Sequence, residues 1–308
     1  MYLIGTYVRT SAIDNLVVRF LGVELNQRKQ IISLGAGSDT RFFRLSADPE
    51  KRHQLVYHEL DFASNTSQKI AFIKRSPSLM SLIEGSTVAD EANAAVISEE
   101  GDSLFSSTYN IHALDLRSLP ITSTPLRNVD TSLPTLLISE CCLIYLPPTD
   151  ADSILRYFTS TLFPPTSPLG IVVYEPINPD DAFGRVMVQN LATRGIVLQT
   201  LKKYGSLDRQ KARLKMLGFG NRQEAVDVES VWEDWVDEKE KERIARLEMV
   251  DEVEEWRMLA QHYCVAFAWR DGVATGISGG TVDEQGRTSD AVFSAWHDLI
   301  ISSTNVGG

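Results

Sequence analysis

The chain has 308 residues, of which 43% are hydrophobic, and a formal net charge of −11. This apolar content is enough for one ordinary globular core, and no apolar run approaches the ~20 residues that span a bilayer. The acidic balance argues against a nucleic-acid-binding surface, which needs a basic stripe to neutralise phosphates. The first residues lack the basic flank and the cleavage site of a signal peptide.

The cysteines and histidines do not have the spacing of a metal site. Cys141 and Cys142 are adjacent in an apolar run, and the five histidines form no His-x-x-x-His pair. We therefore expect no metal ion. We interpret the thiols as buried and free in a reducing compartment, which makes the expected location cytoplasmic.

Strand-like and helix-like runs alternate along the chain. Helical spacing of apolar residues predicts a first helix over 10–25. Further helices are predicted, in chain order, at 41–45, 62–74, 150–163, 181–191, 207–217 and 230–258. Strands are predicted at 30–34, 54–60, 110–113, 133–139 (continuing into 141–145), 170–174, 219–228 and 262–269. Residues 77–101 are interpreted as an insertion, and residues 271–308 as a loosely ordered tail with one short turn or helix at 291–301.

This order of elements predicts an α/β fold. Strands that alternate with helices favour a Rossmann-like sheet that is mostly parallel, with helices on both faces. The two late strands are separated by a long helical stretch, which suits an antiparallel last strand. The remaining helices are expected to be insertions.

A glycine-rich turn follows the first strand, within residues 33–40. Glycine at positions 35 and 37 lets the backbone bend sharply and lets a ligand approach without a Cβ in the way. A dinucleotide fingerprint needs a third glycine where this chain has Thr40, so the turn is less well suited to bind the pyrophosphate of NAD. S-adenosylmethionine carries no phosphate, and the turn favours it as the cofactor. A plain tight turn is the alternative.

Acidic residues follow three other predicted strands. Asp61 ends the second strand, where an ionised carboxylate can accept hydrogen bonds from both ribose hydroxyls. Asp115 follows the third strand, where an acid can meet an adenine amino group while Leu116 covers the ring. A helix cap is the alternative for both acids. Glu140 lies between two apolar stretches, so its charge needs a partner, either a cofactor amine or sulfonium or a structural salt bridge.

The sequence resembles the leucine carboxyl methyltransferases, which methylate the C-terminal leucine of the type 2A protein phosphatase catalytic subunit. The matching segments occur in the same order from about residue 5 to 270: 34–42, 59–62, 114–117, 133–145, 174–187, 247–256 and 262–264. The resemblance implies a class I methyltransferase domain over residues 1–270 that uses S-adenosylmethionine. It also implies the phosphatase tail as partner of a monomeric enzyme, with no nucleic acid and no membrane.

The resemblance further implies roles for individual residues. Six are implied as cofactor contacts: Arg9, Gly35, Asp61, Asp115, Leu116 and Glu140. Arg9 and Tyr145 are also implied as catalytic residues. Arg9, which the residues alone would place on the surface, is expected to face a carboxylate, and Tyr145 is expected near the methyl-acceptor pocket. Buried packing is the alternative for Tyr145.

The resemblance has one departure. Members of the family carry several dozen residues before the position of Arg9, including a basic stretch and a lysine near the cofactor, whereas this sequence has eight residues there. We therefore expect the N-terminal lid segment to be missing. The alternative functions are an O- or carboxyl methyltransferase for a small molecule or a modified tRNA base, an inactive truncated form, an NAD-dependent dehydrogenase and a non-catalytic binding protein.

Overall fold

The computed structural model describes residues 2–48, 54–84, 94–122, 124–247, 253–272 and 292–299. Its strands are β1 (Lys29–Leu34), β2 (Leu55–Asp61), β3 (Val96–Ile97), β4 (Leu104–Phe105), β5 (Tyr109–Ala113), β6 (Thr135–Glu140), β7 (Leu169–Pro176), β8 (Arg222–Asp227) and β9 (Tyr263–Arg270). Within these ranges the strands form one sheet in the order β3-β4-β5-β2-β1-β6-β7-β9-β8.

The middle of this sheet is parallel. Strands β5, β2, β1, β6 and β7 run in the same direction, and β9 pairs antiparallel with both β7 and β8. Every residue of β1, β2 and β7 is buried, as expected for strands covered on both faces. The predicted fold class is therefore confirmed, including the antiparallel last strand. The short antiparallel strands β3 and β4 extend the opposite edge.

Helices cover both faces of the sheet. In chain order they are α1 (Tyr2–Gly22), α2 (Arg41–Leu45), α3 (Ala63–Arg75), α4 (Pro77–Glu84), α5 (Pro148–Arg156), α6 (Ala182–Thr193), α7 (Leu201–Tyr204), α8 (Leu207–Met216), α9 (Val228–Trp235), α10 (Glu238–Leu247) and α11 (Val253–Ala260). Helices α1 to α4 and α9 to α11 contribute to one apolar cluster, and α5 and α8 to the other. None of the helices within the described ranges is long and apolar enough to cross a membrane.

Helix α1 begins earlier than the predicted range of 10–25. Ile4 and Val8 extend the buried stripe that continues through Leu16 and Phe20, so the same face is apolar from the first turn. Arg9 and Asp14 are partly buried at the margin of this stripe. Packing of α1 on the sheet therefore fixes where these two charged side chains lie.

Two predicted segments differ in the structure. Strand β6 ends at Glu140, because Cys141 adopts a positive φ of 50° and a 3-10 turn follows at Leu143–Tyr145. The prediction that the strand continues into 141–145 is therefore wrong. The predicted insertion at 77–101 contains α4 and β3, and its residues 85–93 lie outside the described ranges.

Part of the predicted tail is firmly packed. The ring of Phe293 stacks on Phe20 at 5.2 Å between centroids, and Trp296 Nε1 donates to the carbonyl oxygen of Leu16 at 2.9 Å. Both aromatic side chains are fully buried, so residues 292–299 are not loosely ordered. The short helix predicted nearby is present as a 3-10 turn at Ser294–Trp296. Residues 273–291 and 300–308 lie outside the described ranges.

Candidate functional site

The glycine turn after β1 needs its glycines for conformation and for space. Gly35 and Gly37 have φ angles of 62° and 52°, a region that other L residues rarely adopt. The amide of Gly35 donates to the carbonyl oxygen of Leu60 at 2.8 Å, which ties the turn to the end of β2. A Cβ on Gly35 would lie 2.5 Å from Sγ of Cys142. A larger residue at position 35 would therefore push against Cys142, in the segment that follows β6.

The carboxylate of Asp61 organises this turn from the neighbouring strand. Its Oδ2 accepts from the amide of Gly37 at 2.7 Å. Its Oδ1 accepts from the amide of Phe62 at 2.7 Å and from Asn65 Nδ2 at 2.9 Å. These bonds offset the cost of burying the carboxylate. The structure thus places Asp61 beside the glycine turn, and its contact with a ribose stays a prediction.

A cavity of about 300 Å³, hereafter the first cavity, opens beside the turn. Five of the residues expected from the sequence line it: Gly35, Asp61, Asp115, Leu116 and Tyr145. They come from the ends of β1, β2, β5 and β6, because the carboxyl ends of parallel strands meet at one edge of a sheet. The strand order therefore brings together residues that are more than a hundred positions apart in the chain.

Asp115 lines the first cavity and also caps a short turn. Its Oδ1 accepts from the amide of Arg117 at 2.9 Å at the start of the 3-10 turn Leu116–Ser118. The side chain of Arg117 also donates to it, from Nε at 3.0 Å. Hydrogen bonding from Arg117 lowers the pKa of Asp115, so the group is ionised at neutral pH. The cap considered as an alternative is present, and the carboxylate still borders the cavity.

Glu140 lies between two arginines. Arg9 Nε donates to its Oε1, and Arg41 Nη1 donates to its Oε2 at 3.2 Å. The salt bridge considered as an alternative for Glu140 is therefore present. Arg9 is not a free surface residue, because its side chain is 36% exposed and paired with a carboxylate at the end of β6.

Arg41 is a site residue that the sequence did not single out. It is 3% exposed, and it contacts Asp14 and Asp39 at 2.7 Å each in addition to Glu140. Burial lowers the pKa of Arg41, but the surrounding carboxylates outweigh this effect and the pKa is raised. Because Asp14 belongs to α1 and Asp39 to the glycine turn, Arg41 ties the first helix to the turn.

A second cavity of about 450 Å³ lies between α1 and the glycine turn. Arg9, Arg41 and Glu140 line it, and it shares Gly35 and Gly37 with the first cavity. The two cavities are therefore neighbours on either side of one backbone turn. The second has a paired cluster of positive and negative side chains, which suits the zwitterionic end of a ligand.

Tyr145 and the two adjacent cysteines border the first cavity. Tyr145 is 44% exposed, so buried packing does not describe it. Burial raises the pKa of Cys141 to about 11 and that of Cys142 to about 12. Both thiols are therefore protonated at neutral pH and are poor nucleophiles. Among the described residues, no group of three or more His, Cys, Asp or Glu side chains is arranged to hold a metal ion.

Comparison with known proteins gives consistent matches. A sequence model described as leucine carboxyl methyltransferase matches residues 2–159, a span that contains every site residue described above. Leucine carboxyl methyltransferase 1 of Aspergillus fumigatus is 50% identical and covers 93% of this chain and 77% of that protein. The protein of the same name from Emericella nidulans is 53% identical, covering 91% and 77%. The homolog from Arabidopsis thaliana is 39% identical, covering 89% and 78%.

Proposed function

The chain belongs to the leucine carboxyl methyltransferase family, and on that premise we propose a substrate and a cofactor. We propose that it transfers a methyl group from S-adenosylmethionine to the C-terminal leucine α-carboxylate of the type 2A protein phosphatase catalytic subunit. The product is a methyl ester, and its reversible formation would regulate phosphatase assembly in the cytoplasm. The alternative acceptors are a small molecule and a modified tRNA base.

The residues around the glycine turn fit this cofactor. No atom lies within 4 Å of the position that a Cβ on Gly37 would take, so the backbone of the turn is open to close approach there, and Asp61 ends β2 where a carboxylate can accept from a ribose. Asp115 and Leu116 line the same cavity and would hold the adenine. Glu140, in the adjoining second cavity, would bind the amino group of the methionine end. When bound, S-adenosylmethionine supplies an electrophilic methyl group, whose transfer forms an O–CH₃ bond and releases a neutral thioether.

The acceptor needs orientation rather than activation. An α-carboxylate has a reference pKa of ~3.3–3.7, so it is already ionised at neutral pH and needs no general base. Arg9 can hold it, because a guanidinium keeps its charge and its planar fork matches a carboxylate. Holding the carboxylate oxygen in line with the methyl carbon supplies the rate enhancement of proximity and orientation. Tyr145, half-exposed beside the first cavity, would border the acceptor's path.

The observation that carries the proposal is the arginine that lines the second cavity. Arg9 comes from α1, contacts Glu140 through Nε only, and lines the cavity next to the glycine turn. A hydroxyl acceptor would instead need a base, and no histidine lines either cavity in the described part of the chain. The net charge of −11 also disfavours a tRNA substrate.

Calorimetric titration tests the cofactor assignment. We expect S-adenosylmethionine and S-adenosylhomocysteine each to bind with one site per chain, and NAD to give no heat of binding. Heat from NAD without heat from S-adenosylhomocysteine would overturn the assignment. Asp61→Ala, tested in the same way, shows whether any binding observed occurs at this site.

A further inference from the structure

Two sequence segments that match the family, 174–187 and 262–264, have no role in the site described so far. The structure brings them together where β7 pairs with β9. Tyr263 is directly opposite Pro176 in the antiparallel register, so it lies on the same face as Tyr174, one diagonal step away. The two tyrosine rings stack with 5.5 Å between centroids and an angle of 21° between planes.

This tyrosine pair reaches the site through Arg9. The guanidinium carbon of Arg9 lies 5.1 Å from the centroid of the Tyr174 ring, within the range of a cation–π interaction. Tyr174 is 5% exposed, and such an interaction is stronger where water is excluded. Arg9 therefore contacts the face of an aromatic ring and, through Nε, the carboxylate of Glu140.

These two contacts define the plane of the guanidinium. A free arginine side chain samples many rotamers, and a ligand would otherwise have to remove this freedom on binding. The bond to Glu140 uses Nε–H, one of five N–H groups, whereas bidentate binding of a carboxylate uses a parallel pair of N–H groups. A ring beneath the guanidinium restricts its rotation about the bond to Glu140. The direction of the terminal nitrogens then depends on Tyr174.

We propose that Tyr174, supported by its stack with Tyr263, is a positioning residue that orients Arg9 toward the carboxylate it binds. The inference rests on the proposed function, because it assumes that Arg9 binds a carboxylate of the acceptor or of the cofactor. The hydroxyl group of Tyr174 is not required for this role, since the aromatic face makes the contact. Tyr263 acts one step further away, by holding the Tyr174 ring in place.

The competing explanation is that Tyr174 only fills the core. It belongs to the apolar cluster beneath α1, and any large buried residue would then serve. The two explanations differ for Tyr174→Phe and Tyr174→Leu: a positioning role requires the ring, whereas a filling role requires only volume. Phe267→Leu provides a matched control. Phe267 is another buried aromatic residue on β9, and its ring contacts are with Trp235 and Trp296.

The experiment measures methyl transfer to a peptide with a C-terminal leucine, varying peptide and S-adenosylmethionine separately. Arg9→Lys first identifies which KM depends on the guanidinium. We expect Tyr174→Leu to raise the same KM about tenfold, with kcat changed less than threefold. Tyr174→Phe should stay within twofold of the wild type. Phe267→Leu should lower the thermal midpoint and leave both KM values unchanged.

Two results would overturn the inference while leaving the proposed function intact. One is a wild-type KM in the folded Tyr174→Leu variant. The other is an equal rise in KM for Tyr174→Phe and Tyr174→Leu. If Arg9→Lys proves inactive, calorimetric dissociation constants for S-adenosylhomocysteine and for the peptide replace the two KM values. The expected fold-changes of each variant relative to the wild type stay the same. Absence of methyl transfer by the wild-type chain would instead count against the proposed function.

Discussion

The carboxylate of Asp61 accepts a hydrogen bond of 2.7 Å from the backbone amide of Gly37. This bond connects the end of β2 with the turn that follows β1, the two neighbouring strands at the centre of the sheet. A turn of two glycines with positive φ is costly to order in a flexible chain. Because Asp61 holds it from the side, the turn has its shape before any ligand arrives.

Replacing Asp61 by Ala should weaken cofactor binding strongly. The change removes the acceptor of the Gly37 amide and, in the proposed complex, the acceptor for the ribose hydroxyls. Hydrogen bonds to charged groups contribute ~1.5–3 kcal/mol each, so we expect the affinity for S-adenosylmethionine to fall about 100-fold. Asp61→Asn keeps one side-chain oxygen, and its affinity for S-adenosylmethionine should fall about tenfold. Unchanged calorimetric affinity in a folded Asp61→Ala variant would contradict this role.

Gly35→Ala and Gly37→Ala form a matched pair for the glycine turn. Both positions have positive φ, which costs an L residue roughly 1–2 kcal/mol. Only at Gly35 would the new Cβ meet another atom, Sγ of Cys142, whereas nothing lies within 4 Å at Gly37. Denaturant unfolding should therefore show a loss of about 1 kcal/mol for Gly37→Ala and about 2–3 kcal/mol for Gly35→Ala. Equal losses of unfolding free energy in the two variants would show that the close approach of position 35 to Cys142 has no effect on stability.

Arg9→Ala should abolish methyl transfer while weakening cofactor affinity at most moderately. The guanidinium is assigned to orient a carboxylate, and loss of such orientation typically costs ~100-fold or more in rate. Radiolabelled methyl transfer gives the rate, and calorimetry with S-adenosylhomocysteine gives the affinity. Arg9→Lys keeps the positive charge but lacks the planar fork. Its rate of methyl transfer should lie between the rates of the wild type and Arg9→Ala. Transfer at the wild-type rate by Arg9→Ala would remove Arg9 from the mechanism.

The positions of the acidic site residues follow from the sequence because they depend on strand order. Asp61 and Glu140 end apolar runs of the chain, and parallel strands place all such ends at one edge. The contacts of Arg41 could not be obtained in this way. Its partners Asp14 and Glu140 are 27 and 99 residues away in the chain. The pairing of β1 with β6 brings Glu140 to the glycine turn, but only the packing of α1 against the turn adds Asp14.

Two further features depended on tertiary packing. Residues 141–145 have the apolar composition of a strand, yet the positive φ of Cys141 ends β6 there. The sequence predicts a short turn or helix at 291–301 within a loosely ordered tail, but it gives no sign that Phe293 and Trp296 pack against the core. The rings of Phe293 and Trp296 pack against Phe20 and Trp269, and this burial orders the segment.

A buried histidine pair predicts sensitivity to acid. His58 Nδ1 and His112 Nε2 are 3.0 Å apart and buried. Burial lowers the pKa of His112 to about 4, and burial together with the neighbouring His112 holds the pKa of His58 well below its usual range. Between pH 6.5 and 4 these two histidines therefore bind more protons in the unfolded chain than in the folded one, and their contribution to stability falls with falling pH. His112 alone accounts for about 3 kcal/mol of this loss.

Denaturant unfolding of wild type and His112→Gln at several pH values checks this effect. The comparison is needed because Glu59 acts in the opposite direction. Burial raises the pKa of Glu59 to about 7. Its contribution to stability therefore increases as the pH falls from 7 to the pKa that Glu59 has in the unfolded chain. We expect the wild type to lose about 3 kcal/mol more than His112→Gln between pH 6.5 and 4. Parallel pH curves for the two proteins would show that His112 does not titrate in this way.

The most direct test of the proposed function is methyl transfer to the intact phosphatase subunit. Purified type 2A catalytic subunit is incubated with radiolabelled S-adenosylmethionine and this chain, beside a control subunit that lacks the terminal leucine. We predict label on the intact subunit in a base-labile ester, none on the truncated control, and none with Arg9→Ala. Equal labelling of both subunits, or label that survives mild base, would contradict transfer to the leucine α-carboxylate.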